Sequence, residues 1–150
     1  TVKRVADGIR AVCDYAEGTG VGVLIEAHGE FNYAFRLQKL LDSVGRENFG
    51  ILWDIGNSDA DCGDDFDKFY QPFKPYIRHV HVKDLLRVNQ AQVLMGEGDR
   101  PVAGIARRLR DDGFDGYMSL EWEKKWHPEL ADPEVAFPQY ISYIREALKK

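Results

Sequence analysis

The sequence predicts an α/β fold in which strand–helix units repeat along a parallel sheet. Three observations predict it. Short strand-like runs recur at residues 21–26, 49–54, 77–83 and 116–121. Segments with apolar residues at helical spacing separate them. The first run, 21–26, is nearly all apolar, as strands covered on both faces are.

The elements follow in order. Residues 2–17 read as a helix with Val5, Ile9, Val12, Cys13 and Ala16 on one face, stopped by Gly18 and Gly20. Residues 21–26 form a short strand expected to be buried on both faces. A helix over 33–44 carries Phe35, Leu37, Leu40 and Leu41, and residues 49–54 form the second strand. A weaker helix over 64–74 ends before Pro75, and residues 77–83 form the third strand. A long loop covers 84–100. A helix over 101–111 opens on Pro101, a good first-turn residue. Residues 116–121 form the fourth strand. The closing helix, 133–149, ends in lysines that suit its negative C-terminal end. The order α(βα)₄ implies a parallel sheet, open or closed into a barrel. No GxGxxG follows the first strand, so a dinucleotide fold lacks its signature; Gly96-Glu97-Gly98 is only its first half.

Composition narrows the function. A length of 150 residues matches one domain over 1–150. No apolar run approaches the ~18–20 residues a membrane span needs, and no secretory h-region opens the chain, so a cytoplasmic protein is expected, without membrane partners. Cys13 and Cys62 show no metal or redox spacing and are expected as free thiols. A net charge of −5 disfavours nucleic acid. The basic run Arg107-Arg108-Leu109-Arg110 is followed at once by Asp111 and Asp112 and reads as a solvated helix face.

Each strand ends in, or carries near its end, a hard-metal ligand: Glu26, Asp54, His81 and Glu121. The separations of 28, 27 and 40 residues are each about one βα unit. In a parallel barrel all strand C-termini share one rim, so such residues converge there. Strand alternation puts His79, His81 and Lys83 on one face and Arg78, Val80 and Val82 on the other. Three carboxylates and an imidazole suit Mn²⁺, Mg²⁺ or Co²⁺ better than a structural zinc.

These motifs, "LIEAHGEF", "ILWDIGNS", "HVHVKD" and "GYMSLEWE", resemble the ligand motifs of the xylose isomerase-like barrel superfamily. The sugar phosphate isomerases/epimerases and ketose 3-epimerases are the groups it is most similar to, and the resemblance runs from the first helix to the last. It implies the C-terminal half, strands five to eight, of a (β/α)₈ barrel. It implies one divalent ion, Mn²⁺ or alternatively Mg²⁺, Co²⁺ or Zn²⁺, held by Glu26, Asp54, His81 and Glu121. Glu26 and Glu121 would also carry the proton of an isomerase or epimerase acting on a ketose or sugar phosphate through an enediolate. The resemblance further implies substrate contacts. Asn57 stands where the family often has a histidine, and it cannot shuttle a proton. Arg87 stands where the epimerases place a substrate-binding arginine. From the residues themselves, His28, two residues past Glu26 on the same strand face, and Trp122, whose ring with that of Trp126 suits a sugar face, complete the substrate candidates; Lys83 and Asp84 resemble family positions next to the site, and His127 lies in the last βα loop. A dehydratase of the inosose or dehydroshikimate type uses the same metal site and is the alternative. A non-catalytic half-barrel binding module is another. The apurinic-site endonucleases of this superfamily need extra histidines, which residues 88–101 lack. Four strands are half a barrel. The chain is therefore expected to be part of a longer polypeptide, to pair with a second copy, or to meet a complementing N-terminal half.

Overall fold

The computed structural model of the protein describes residues 1–57 and 65–149. The chain forms two compact units, residues 1–79 and 80–150, taken here in turn. Within the described residues a parallel four-stranded sheet carries the strands in the order Val23–Glu26, Phe49–Asp54, Ile77–Val82, Tyr117–Leu120. The predicted α/β class therefore holds.

The first unit opens with α1 (Val2–Tyr15). Its buried residues are Ala6 and Cys13, whereas Val5 and Val12 are exposed. The buried stripe is thus rotated from the predicted one. Small side chains at Ala6 and Cys13 let α1 lie against α2 (Ala34–Val44), and the bulkier valines fall to the flank. Cys13 is a free, buried thiol, and burial pushes its pKa up; Cys62 lies outside the described residues. β1 (Val23–Glu26) pairs in parallel with β2 (Phe49–Asp54), Glu26 opposite Leu52. The expectation that β1 is buried on both faces fails. None of its four residues is buried and Leu24 is exposed, because β1 is an edge strand of the sheet. β2 lies inside the sheet and meets the expectation, five of its six residues being buried.

Leu37, Leu40, Leu41 and Val44 form the buried stripe of α2; Phe35 is exposed. Gly45 ends the helix in the left-handed region (φ 55°) and donates its N–H to Leu41 O at 3.0 Å. This is the glycine cap that residues with a Cβ adopt at a cost. α3 (Asp67–Phe73) is shorter than predicted. Its buried Phe69 and Tyr70 stack on Trp53 of β2 at centroid distances of 5.6 and 5.5 Å. Each such pair contributes ~0.5–1.5 kcal/mol beyond the area it covers. β3 (Ile77–Val82) begins here, and its entry is tied to β2 by Ile51 N–H on Tyr76 O at 2.8 Å.

The second unit contains the rest of β3, with Val80 and Val82 fully buried. The segment predicted as an irregular loop over 84–100 contains a small antiparallel ribbon, β4 (Asp84–Leu85) with β5 (Gln92–Val93). Two-residue strands are too short to show alternation, so nothing in the sequence marks them. α4 (Val102–Asp111) buries Val102, Ile105, Ala106 and Leu109, an i, i+3, i+4, i+7 stripe. Arg108 and Arg110 turn outward to Asp112 and Asp111 at 2.9 and 2.8 Å, the solvated face the sequence predicts. β6 (Tyr117–Leu120) is tied to β3 by Glu121 N–H on Val82 O at 3.0 Å. α5 (Pro133–Lys149) closes the unit and packs on α4. No helix among the described residues is long and apolar enough to cross a membrane.

Candidate functional site

In the first unit, Glu26 and Asp54 are the last residues of β1 and β2. Glu26 is half-buried. Asp54 is fully buried. A buried carboxylate needs donors. Asp54 finds them in the turn that follows: Oδ1 accepts the Gly56 N–H at 2.8 Å, and Oδ2 accepts the side-chain amide of Asn57. Asn57, predicted to face substrate, therefore commits one N–H of its side-chain amide to Asp54. His28 is exposed and opens a short 3₁₀ turn, Gly29–Asn32, its carbonyl accepting the Phe31 N–H at 3.0 Å.

A cavity of about 590 Å³ also belongs to this unit. It is lined by Val21, Gly22, Glu47 and Asn48, which precede β1 and β2, and by Asp14 and Arg46. It therefore lies at the opposite strand ends from Glu26 and Asp54. The Asp14–Arg46 pair at 2.5 Å holds the Asp14 carboxyl below the usual carboxylate range.

In the second unit the structure brings His81, Lys83 and Glu121 together. Alternation places His81 and Lys83 on one face, as predicted, while Val80 and Val82 fill the core. Glu121 follows β6 directly. Its Oε2 lies 3.0 Å from Lys83 Nζ and 3.7 Å from His81 Nδ1. The first contact is a charge-assisted hydrogen bond to a lysine only 6% exposed, whose burial requires such a partner. The second is too long for a hydrogen bond. It is close to the separation of two ligands on one ion, roughly 3–3.6 Å for bonds of ~2.1 Å. A carboxylate oxygen has two lone-pair directions, so the contact to Lys83 leaves Oε2 one for another partner.

Asp84 shows why the GxG motif is there. It is fully buried. Its Oδ2 accepts the N–H groups of Gly96 at 2.8 Å and Gly98 at 3.1 Å, and its Oδ1 accepts that of Arg100 at 3.1 Å. A Cβ on Gly98 would stand 2.2 Å from Oδ1. The glycines thus admit a carboxylate, not a dinucleotide. Arg87 is exposed, and its backbone N–H donates to Asp99 Oδ2 at 2.7 Å. Trp122 is half-buried, its indole N–H on Ala131 O at 2.9 Å. Trp126 is 72% exposed, with Lys125 over its ring at 5.0 Å. His127 sits between Glu123 and Glu129, Nδ1 lying 3.2 Å from Glu129.

Sequence reasoning missed Gln92. Its side chain donates to the Glu121 carbonyl and accepts the Glu123 N–H at 3.1 Å. A glutamine in a loop carries no spacing that would announce this. The Lys83–Glu121 pair was half legible, since alternation placed Lys83 beside His81.

A family model described as "Xylose isomerase-like TIM barrel" matches residues 1–147. Fructoselysine 3-epimerase of Escherichia coli O157:H7 is 22% identical over 151 residues, covering 98% of this chain and 51% of that protein. Inosose dehydratase of Serratia proteamaculans (strain 568) is 26% identical over 165 residues, covering 96% and 54%. Among solved structures, an L-ribulose 3-epimerase superposes with a TM-score of 0.79 at 17% identity, covering 99% of this chain and 54% of that one. The chain thus spans about half the length of the curated relatives it matches.

Proposed function

Since the chain belongs to the xylose isomerase-like TIM-barrel family, we propose that it is the C-terminal half of a metal-dependent isomerase or epimerase acting on a ketose or sugar phosphate. In this reading Glu26, Asp54, His81 and Glu121 hold one divalent ion, Mn²⁺ by preference. The observation that carries it is the trio in the second unit: a carboxylate oxygen oriented by a buried lysine, 3.7 Å from an imidazole nitrogen. The donor set fits the ion, because carboxylates and imidazole suit hard and intermediate divalent cations.

A bound ion would polarise the substrate carbonyl and offset the charge that develops on its oxygen. The residues do the rest. Glu26 and Glu121, from different strands, take and return the proton next to the carbonyl, and the substrate passes through an enediolate. A carboxylate within hydrogen-bond reach contributes ~10²–10⁴-fold as general base. Lys83 holds Glu121 in one rotamer, so the carboxylate meets substrate already oriented. Asn57 and Gly56 do the same for Asp54. Arg87, His28 and Trp122 complete the substrate surface in this reading.

The test is exchange of solvent deuterium into a panel of ketoses and ketose phosphates with Mn²⁺ present. Exchange is expected at the carbon next to the carbonyl and should vanish in Glu121→Gln. The similarity to inosose dehydratase favours a second reading, elimination of β-hydroxide from the same enolate. Dehydrated product without epimer would establish it and sink the first. Tight Mn²⁺ binding with neither product would leave a non-catalytic binding module.

A further inference from the structure

We propose that Gln92 is a positioning residue for Glu121, acting as a one-residue surrogate strand; the inference rests on the metal reading above. The Gln92 amide N–H donates to the Glu121 carbonyl, and its oxygen accepts the Glu123 N–H at 3.1 Å. A residue of a parallel strand makes the same two bonds to its neighbour, donating to the carbonyl before the opposed residue and accepting the N–H after it. Gln92 therefore occupies the place of a strand residue opposite Trp122. β6 ends at Leu120, yet Gln92 holds the chain beyond it at the Glu121 carbonyl and the Glu123 N–H. Glu121 is the residue that gains. Its N–H is held by Val82 O at 3.0 Å, and its carbonyl by Gln92. With both backbone groups fixed, only side-chain torsions remain, and Lys83 at 3.0 Å sets those.

The loop that carries Gln92 has several supports of its own. β5 pairs with β4, Leu85 opposite Gln92. The turn between them is closed by Leu86 N–H on Ala91 O at 2.9 Å. Asp84 gathers Gly96, Gly98 and Arg100 around its carboxylate. Gln139 of α5 clamps Met95 through both of its backbone groups, at 3.2 and 2.7 Å. Two glutamines thus hold one loop in the same chemical manner, but only Gln92 touches the segment that carries Glu121.

That contrast supplies the experiment. Mn²⁺ binding to the full chain is measured by calorimetry for the wild type, Gln92→Leu and Gln139→Leu, alongside urea unfolding without metal. The expected result is a loss of tenfold or more in Mn²⁺ affinity for Gln92→Leu, the size seen when a partner of a metal ligand is removed. Gln139→Leu should unfold at lower urea with unchanged Mn²⁺ affinity. The absorption bands of bound Co²⁺ should shift in the first variant and not in the second. If Gln92→Leu does not fold, Gln92→Glu serves, since it keeps the acceptor and loses the donor. Equal Mn²⁺ affinity in the wild type and the Gln92 variant overturns the positioning role alone. A folded wild type that binds no Mn²⁺ overturns the metal reading and this inference with it.

Discussion

Replacing Asp84 tests whether the loop over 84–100 is organised around one carboxylate. Asp84 is fully buried and accepts three backbone N–H groups, two on Oδ2 and one on Oδ1. Asp84→Ala leaves all three donors without their acceptor. A buried donor left so costs ~1–3 kcal/mol; here Arg100 is the buried donor, while Gly98 is half-buried and Gly96 exposed, so their N–H groups turn to water. The expected loss is about 2–4 kcal/mol, a large share of the ~5–15 kcal/mol that stabilises a domain. Asp84→Asn separates the bonds. Its one carbonyl oxygen can serve Gly96 and Gly98 together, which turns the NH₂ toward the Arg100 N–H and loses one bond, about 1–3 kcal/mol. Stability should therefore fall in the order aspartate, asparagine, alanine, read from urea midpoints at constant m-value. Amide exchange should quicken at Arg100 alone in the asparagine variant, and at Gly96, Gly98 and Arg100 in the alanine variant. Asparagine as stable as aspartate, or alanine no worse than asparagine, would refute the reasoning.

Two further perturbations address the packing. Burial pushes the Tyr140 hydroxyl up to about 12, and it donates to Met118 O at 2.7 Å. Its folded pKa lies above the unfolded value of 10.0, so the unfolded chain ionises first and stability falls as pH rises from about 10 to about 12. The loss is ~3 kcal/mol at most; Tyr140→Phe should flatten that part of an unfolding-versus-pH curve, and an unchanged slope counts against it. Trp53→Ala should lower stability by ~3–5 kcal/mol in chemical unfolding, since it removes a fully buried ring stacked on Phe69 and Tyr70.

The order of helices and strands was legible because each is a local property. Leu37, Leu40, Leu41 and Val44 on α2, and Val102, Ile105, Ala106 and Leu109 on α4, show their period within a few turns of chain. Where the reading slipped, the deciding partner was distant. Val5 and Val12 belong to the same helical period as Ala6 and Cys13, and only the position of α2 selects between the stripes. β1 reads as apolar as β2, and only its place at the sheet edge exposes it.

The candidate site divides in the same way. The sequence alone determined that carboxylates and a histidine recur at or near strand ends, because the βα repeat and the two-residue alternation of strands are written in order along the chain. Tertiary structure decided what holds them. Lys83 reaches Glu121 across 38 residues and Gln92 reaches its backbone across 29. Asp84 turns a GxG that looked like half a dinucleotide motif into its own cradle. A hydrogen bond between distant residues has no period. Its partners are brought into register by packing, which no single stretch of sequence encodes.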